Sequence, residues 1–278
     1  MTDYAIDIAP LGSLADPRAV VRLALAAEAA GWDGISIWDS LGLSTGGGAA
    51  DPFVTLAAIA ARTERLRLIT SVVAVARRRP QLVVQAATSL DLLSHGRLVL
   101  GLGAGEDEPD FEAFGESHDR STRIARMDEG MAIIDAGLRG ERLAHAGQHL
   151  TATGVTLGPE PAQRPRPPMW FGALRPAGLR RAAAWDGWIA VALGEDGGSV
   201  ALTPEDLERR AMVIGEERER LGLGVLPYDV AVLGASVADK PSAAEYVAAG
   251  ATWWFESLSP TRGSVDALEA IVRAGPPR

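Results

Sequence analysis

Three carboxylates in this chain of 278 residues stand at the ends of short apolar runs. Asp39 follows GISIW, Glu106 follows LVLGLGAG and Glu256 follows TWWF. A carboxylate at the exit of a buried strand is placed for acid and base work, so Asp39 and Glu106 make a candidate pair of the kind a glycosidase uses. With Glu256 they make a candidate trio for a divalent cation. The structural alternative for each is a loop cap or a partner for an arginine. Glycosidases usually line their subsites with aromatics, but Trp32, Trp38, Trp170, Trp185, Trp188, Trp253 and Trp254 fall mostly in or beside apolar runs and read as core. Other chemistries are excluded by residue type. The sole lysine, Lys240, stands at a predicted helix start, which leaves no strand-borne amine for a Schiff base. There is no GxSxG elbow, and with no cysteine there is no thiol nucleophile, thiolate metal site or disulfide. His145 and His149 have helical metal spacing, yet Gly147 between them and the lack of HExxH point to a solvated hairpin.

The densest candidate stretch is Ser94 to Glu106, SHGRLVLGLGAGE. It reads as a turn, a buried strand and a strand exit without side chains at Gly101, Gly103 and Gly105, where something flat or bulky can approach the backbone. A dinucleotide fingerprint starting at Gly101 or Gly103 would need glycine at 106 or 108, and both are glutamate.

The elements that position these residues alternate along the whole chain. Apolar runs predict strands over Tyr4 to Ala9, Gly34 to Trp38, Leu66 to Thr70, Leu98 to Gly103, Met169 to Ala173, Gly187 to Ala192, Asp229 to Gly234 and Thr252 to Glu256. Between them lie helical patterns, several opened by a proline at the first helical position, where its missing N–H costs nothing: Pro17, Pro52, Pro80, Pro176, Pro204 and Pro241. Thr203 with Asp206 fits a capping box. The predicted helices run over Pro17 to Ala30, Pro52 to Thr63, Pro80 to Leu93, Thr122 to Leu138, Pro176 to Ala184, Pro204 to Leu221, Pro241 to Ala249 and Ser264 to Ala274. Eight such units predict an α/β fold, a single-domain (β/α)8 TIM barrel over residues 1–278, with a doubly wound sheet as the alternative. The irregular stretch from Gly140 to Pro168 reads as a short insertion after the fourth unit, with a hairpin turn at Gly147 and an extended PEPAQRPRPP connector. In a barrel the chemistry stands at the carboxyl ends of the strands, where Asp39, Ser71, Glu106, Arg175 and Glu256 are expected. A Gly-rich loop from Ser40 to Ala50 follows the second strand and is a candidate lid.

A formal net charge of −9 argues against a nucleic-acid partner, because an acidic surface repels a phosphate backbone. No signal peptide and no apolar run of about 18 residues is visible, so the expectation is a cytoplasmic protein away from membranes.

Three segments together resemble the bacterial luciferase-like family of flavin- or deazaflavin-dependent oxidoreductases. They are LRLITSVV with RRRP soon after it, ATSLDLLSHGRLVLGLGAGE, and PPMWFGALRPAGLRRAAAWDGW; AGATWW and GPPR near the end also match. The resemblance implies a non-covalently bound FMN lying across the barrel mouth, with coenzyme F420 as the alternative. It also implies a non-prolyl cis peptide between Ser71 and Val72 that backs the ring. The cofactor-binding residues it points to are Asp39, Ser71, Val72, Gly103, Ala104, Gly105, Glu106, Gly172, Ala173 and Arg175, with Arg175 and the turn before Pro176 on the phosphate. Asp39 and Glu106 are the catalytic candidates. Two departures stand out: deazaflavin users commonly have histidine where Ser40 follows Asp39, and Ala173 stands where the phosphate turn often has a second glycine.

The function expected is a luciferase-like monooxygenase or related oxidoreductase. It would use reduced FMN to transfer hydride or activate dioxygen on a small organic substrate; with no nicotinamide fingerprint visible, the flavin would be reduced by a separate reductase or by nicotinamide bound transiently over the ring. The resemblance further implies a homodimer. The competing readings are an F420-dependent reductase, a two-carboxylate hydrolase and a non-catalytic flavin-binding barrel.

Overall fold

The computed structural model describes residues 2–44, 46–105, 108–190, 202–237 and 241–278. Among them, eight parallel strands close into a barrel: β1 (Asp3–Ile8), β2 (Gly34–Ile37), β3 (Arg67–Thr70), β4 (Leu98–Gly103), β5 (Met169–Gly172), β6 (Gly187–Ala190), β7 (Asp229–Gly234) and β8 (Trp253–Leu258). Each strand pairs with the next, and β8 pairs with β1, so no edge is left open. This is the single-domain (β/α)8 barrel expected from the alternating runs, and the doubly wound sheet is excluded by closure. The last two residues of the sixth predicted strand, and Lys240, lie outside the described residues.

The helices are α1 (Pro17–Ala29), α2 (Pro52–Ala60), α3 (Pro80–Leu93), α4 (Arg120–Leu138), α5 (Pro176–Ala182), α6 (Pro204–Arg220), α7 (Ala243–Ala248) and α8 (Val265–Arg273). Five start on proline, as predicted, and Asp16, Asp51 and Thr203 cap α1, α2 and α6 with their side chains. Two starts differ. Ser242 and Glu245 form a reciprocal capping box that begins α7 after Pro241, so Pro241 lies outside the helix. Asp119 accepts the Thr122 N–H and begins α4 two residues before the predicted start.

Strand alternation divides the core into two. Outward residues such as Ile6, Ile8, Ile35 and Leu100 pack under the helices. Inward residues, among them Ala5, Ile69, Val99, Trp170, Ile189 and Phe255, fill the barrel. Five of the seven tryptophans (Trp32, Trp170, Trp188, Trp253 and Trp254) are buried, as the core reading expects.

The insertion is an antiparallel hairpin, Arg142–Ala146 with Thr151–Thr156. Glu129 on α4 fastens its turn by accepting the backbone N–H groups of Gln148, His149 and Leu150. A Cβ on Gly147 would lie 2.2 Å from that carboxylate, which is why glycine stands there. His145 Nε2 lies 3.5 Å from Glu129, and no group of three potential ligands for a metal exists among the described residues. The connector that follows is held at two points. Gln163 binds Asp91 and the Leu98 carbonyl, while Arg166 joins Asp135 to Asp186.

Candidate active site

At the carboxyl ends of the strands the apolar filling gives way to a polar layer. Asp7 lies two residues beyond Ala5 on β1 and so faces the same way, into the barrel. Its register partners are Ser36 on β2 and Ser257 on β8. Ser71, just after β3, completes the set: its Oγ donates to Asp7 Oδ1 at 2.8 Å and accepts from Ser36 Oγ at 2.5 Å. The Trp38 indole N–H donates to Asp7 Oδ2 at 2.5 Å from above β2. Ser257 Oγ is buried and has no hydrogen-bond partner among the described residues. Burial pushes the Asp7 carboxyl up to about 7, against the lowering effect of the Ser71, Ser36 and Trp38 hydrogen bonds.

Above Ser71 the wall is built around Val72. The Ser71–Val72 peptide is cis, as the resemblance implies. The Val72 side chain projects between the ends of β4 and β5: a Cβ on Gly103 would lie 2.7 Å from Val72 Cγ2, and one on Gly172 would lie 2.9 Å from Cγ1. A Cβ on Gly101 would lie 1.9 Å from the Thr70 carbonyl oxygen. The space left by these glycines is therefore occupied by the exit of β3 itself. Among the described residues, the mouth presents the half-buried Val72 standing between Gly103 and Gly172.

The sequence candidates divide accordingly. Ser71, Val72, Gly103 and Gly172 converge on this platform. Ala104 packs half-buried against the outer core, and Gly105, at φ +77°, gives its carbonyl to Arg123 Nη1 at 2.8 Å. The Ala173 carbonyl accepts the Trp188 indole N–H at 2.7 Å. Arg175 begins α5 with an exposed side chain that binds nothing among the described residues. Glu106 lies outside the described residues.

Asp39 is saturated. Its Oδ1 accepts from Arg77 Nη2 at 2.9 Å and Arg78 Nη2 at 2.7 Å, and its Oδ2 accepts from Arg78 Nε at 2.8 Å and from the Ala74 N–H at 3.0 Å. Burial alone would raise its pKa, but the Arg78 hydrogen bonds and the charges of Arg78 and Arg77 outweigh that and hold it below the ordinary value. Arg77 also meets Asp110, which accepts the Leu41 N–H, and Arg78 meets Asp51. The cluster ties the loop after β2 to the loop after β3. Glu256 is likewise engaged, by Arg262, by Ser236 through its N–H and hydroxyl, and by the Trp254 indole. It faces outward on β8, and the strand continues to Leu258 rather than ending at Glu256. Both carboxylates thus take the structural alternative of an arginine partner.

Asp7 is the site residue that sequence reasoning missed. The available signal was parity: a charged residue in a strand covered on both faces, two residues from an inward alanine.

Residues 4–273 match the luciferase-like monooxygenase family. The chain belongs to that family.

Solved structures agree on the luciferase-like fold. Monooxygenase RslO1 from Streptomyces bottropensis is 25% identical, with a TM-score of 0.73 over 84% of this chain and 70% of that one. The coenzyme F420-dependent tetrahydromethanopterin reductase from Methanopyrus kandleri is 16% identical, with a TM-score of 0.77 over 99% of this chain and 98% of that one. The FMN-bound oxygenating constituent of 3,6-diketocamphane monooxygenase from Pseudomonas putida is also 16% identical, with a TM-score of 0.68 over 84% and 67%. These three neighbours are named as monooxygenases or a reductase, and among the described residues no helix is long and apolar enough to cross a membrane.

Proposed function

We propose that this luciferase-like protein is an FMN-dependent oxidoreductase of the monooxygenase type acting on a small organic substrate. The observation that carries the reading is the Val72 platform: one branched side chain standing between Gly103 and Gly172, with a polar layer beneath it. Such a surface suits a flat ring, and the residues present fit a phosphate-bearing cofactor, because Arg175 offers at the rim an exposed guanidinium without a partner among the described residues. Val72 and Ser71 would support the ring, Gly103 and Gly172 would leave the room in which Val72 stands, and Arg175 would hold the phosphate. When bound, the flavin supplies hydride transfer or dioxygen activation, while the protein supplies orientation and shielding. A separate reductase delivers the reduced flavin, and the working unit is a homodimer in the cytoplasm.

A second reading is favoured by length. The chain spans 98% of the F420-dependent reductase, against 70% and 67% of the two monooxygenases. Against F420 stands Ser40 next to Asp39. Fluorescence titration of the purified protein with FMN and with F420 separates the two. Binding of neither overturns the proposal, and tight FMN binding without oxidation of reduced flavin leaves a flavin-binding barrel that does not turn over.

A further inference from the structure

We propose that Asp7 is the acid–base residue of this mouth and that it exchanges its proton with the substrate through the Ser71 hydroxyl. The role in turnover rests on the oxidoreductase reading above; the proton chemistry of Asp7 itself does not.

Four observations lead to it. Asp7 is fully buried inside the barrel, at the boundary between apolar filling and mouth. The other described carboxylates of the rim, Asp39, Asp110 and Glu256, each have an arginine partner, whereas among the described residues Asp7 is held by neutral donors only: Ser71 and Trp38 directly, with Ser36 behind Ser71. A buried carboxylate without a cation has no strong reason to stay ionised, so its proton is exchangeable near neutrality. Ser71 is the one serine of the layer with any exposure, 6% against none for Ser36 and Ser257, and it directly precedes the half-buried Val72 of the mouth. Finally, the buried Ser257 hydroxyl, in register with Asp7, is without a partner among the described residues, which leaves the layer capacity to accommodate either protonation state. The remaining charged groups of the flanking strands do not face Asp7: Asp39 lies one residue beyond inward Trp38, and Glu256 alternates outward between Phe255 and Ser257.

The transfer balances within the observed geometry. In the protonated state Asp7 Oδ1–H donates to Ser71 Oγ, and the Ser71 O–H points to a basic atom of the substrate. As the substrate takes the Ser71 proton, the Asp7 proton moves to Ser71 Oγ; two O–H bonds break, one O–H bond and one bond to the substrate form, and Ser71 stays neutral. Asp7 ends as a carboxylate accepting from Ser71 and Trp38, which is the arrangement in the structure. Ser36 donates to Ser71 Oγ throughout and fixes its rotamer.

The test is NMR of the whole, cofactor-free protein with ¹³C-labelled aspartate carboxyls, titrated with pH. One signal is expected to titrate with a midpoint near 7 and to be missing from Asp7→Asn. A signal assigned to Asp7 that titrates with the ordinary carboxylates overturns the proposal. Ser71→Ala is expected to raise the Asp7 midpoint, because the charged form loses a donor, and to change its exchange from fast to slow on the shift scale; an unchanged midpoint and unchanged exchange overturn the Ser71 route. With reduced cofactor bound, turnover of Asp7→Asn followed by cofactor oxidation is expected to fall at least tenfold and to lose its dependence on pH, with the cofactor Kd within twofold of wild type. Full turnover in Asp7→Asn overturns the catalytic role. Failure of FMN and F420 to bind would remove the functional reading and leave the NMR result standing.

Discussion

Ser71 Oγ donates to Asp7 Oδ1 at 2.8 Å, joining the exit of β3 to the inward face of β1 across 64 positions of sequence. The bond links the exit of β3 to a buried carboxyl with no cation beside it among the described residues, and the burial of that carboxyl gives stability a pH dependence.

Because burial raises the folded pKa of Asp7 from 3.8 to about 7, the native state binds the proton more tightly than the unfolded chain. Stability from this group is fully present below the unfolded value and is lost as pH rises through about 7. A shift of that size corresponds to roughly 4 kcal/mol. Asp7→Asn should therefore flatten the fall in stability between about pH 4 and 7. Urea denaturation at a series of pH values checks this, and an unchanged slope would contradict it.

Asp39 has the opposite sign. Its folded pKa lies below the unfolded one, so its contribution is present above the ordinary carboxylate value and is lost as pH falls below it. Asp39→Ala leaves Arg77 and Arg78 without the carboxylate that pairs them, and the expected cost is about 3 kcal/mol, the scale for breaking a largely buried ion pair. Denaturant midpoints at pH 7 measure it. A loss below ~1 kcal/mol would show the cluster to be no stronger than a surface pair.

The glycines at the end of β4 should fail for different reasons. Gly103→Ala places a methyl against the stiff Val72 side chain, with an expected cost of about 1–3 kcal/mol that Val72→Ala in the same chain should largely relieve. Gly101→Ala meets the Thr70 carbonyl and has no side-chain remedy, so it should be the more damaging of the two. A double-mutant cycle of Gly103 and Val72, read by thermal unfolding, tests this; strict additivity would contradict the contact.

Arg175 separates binding from stability. Its exposed side chain has no partner among the described residues, so Arg175→Ala should change stability by less than ~0.5 kcal/mol. Loss of a charge-assisted phosphate contact should weaken cofactor binding by about 1.5–3 kcal/mol, some tenfold to 150-fold. Calorimetric titration with FMN and with riboflavin, which lacks the phosphate, distinguishes the cases: the variant should lose affinity for FMN alone.

The elements of this protein were legible along the chain because strands covered on both faces and proline-led helices are written in neighbouring residues. Eight apolar runs therefore predicted the barrel, and the glycines of β4 and the turn before Pro176 were visible as places where the chain is stripped of side chains or bent. Pairing across the barrel is not written locally. Whether Asp39 and Glu256 were acids or arginine partners depended on where Arg77, Arg78 and Arg262 fold back, and the space left by Gly101 and Gly103 was claimed by Thr70 and Val72 from the neighbouring strand. Asp7 shows the same limit most clearly. Its residue type and its parity were in the sequence, but its neighbours Ser36, Ser71 and Ser257 come from three other strands. Only the packing of β2 and the exit of β3 beside β1 sets the neutral donors Trp38 and Ser71 on that carboxyl, and burial there raises its pKa.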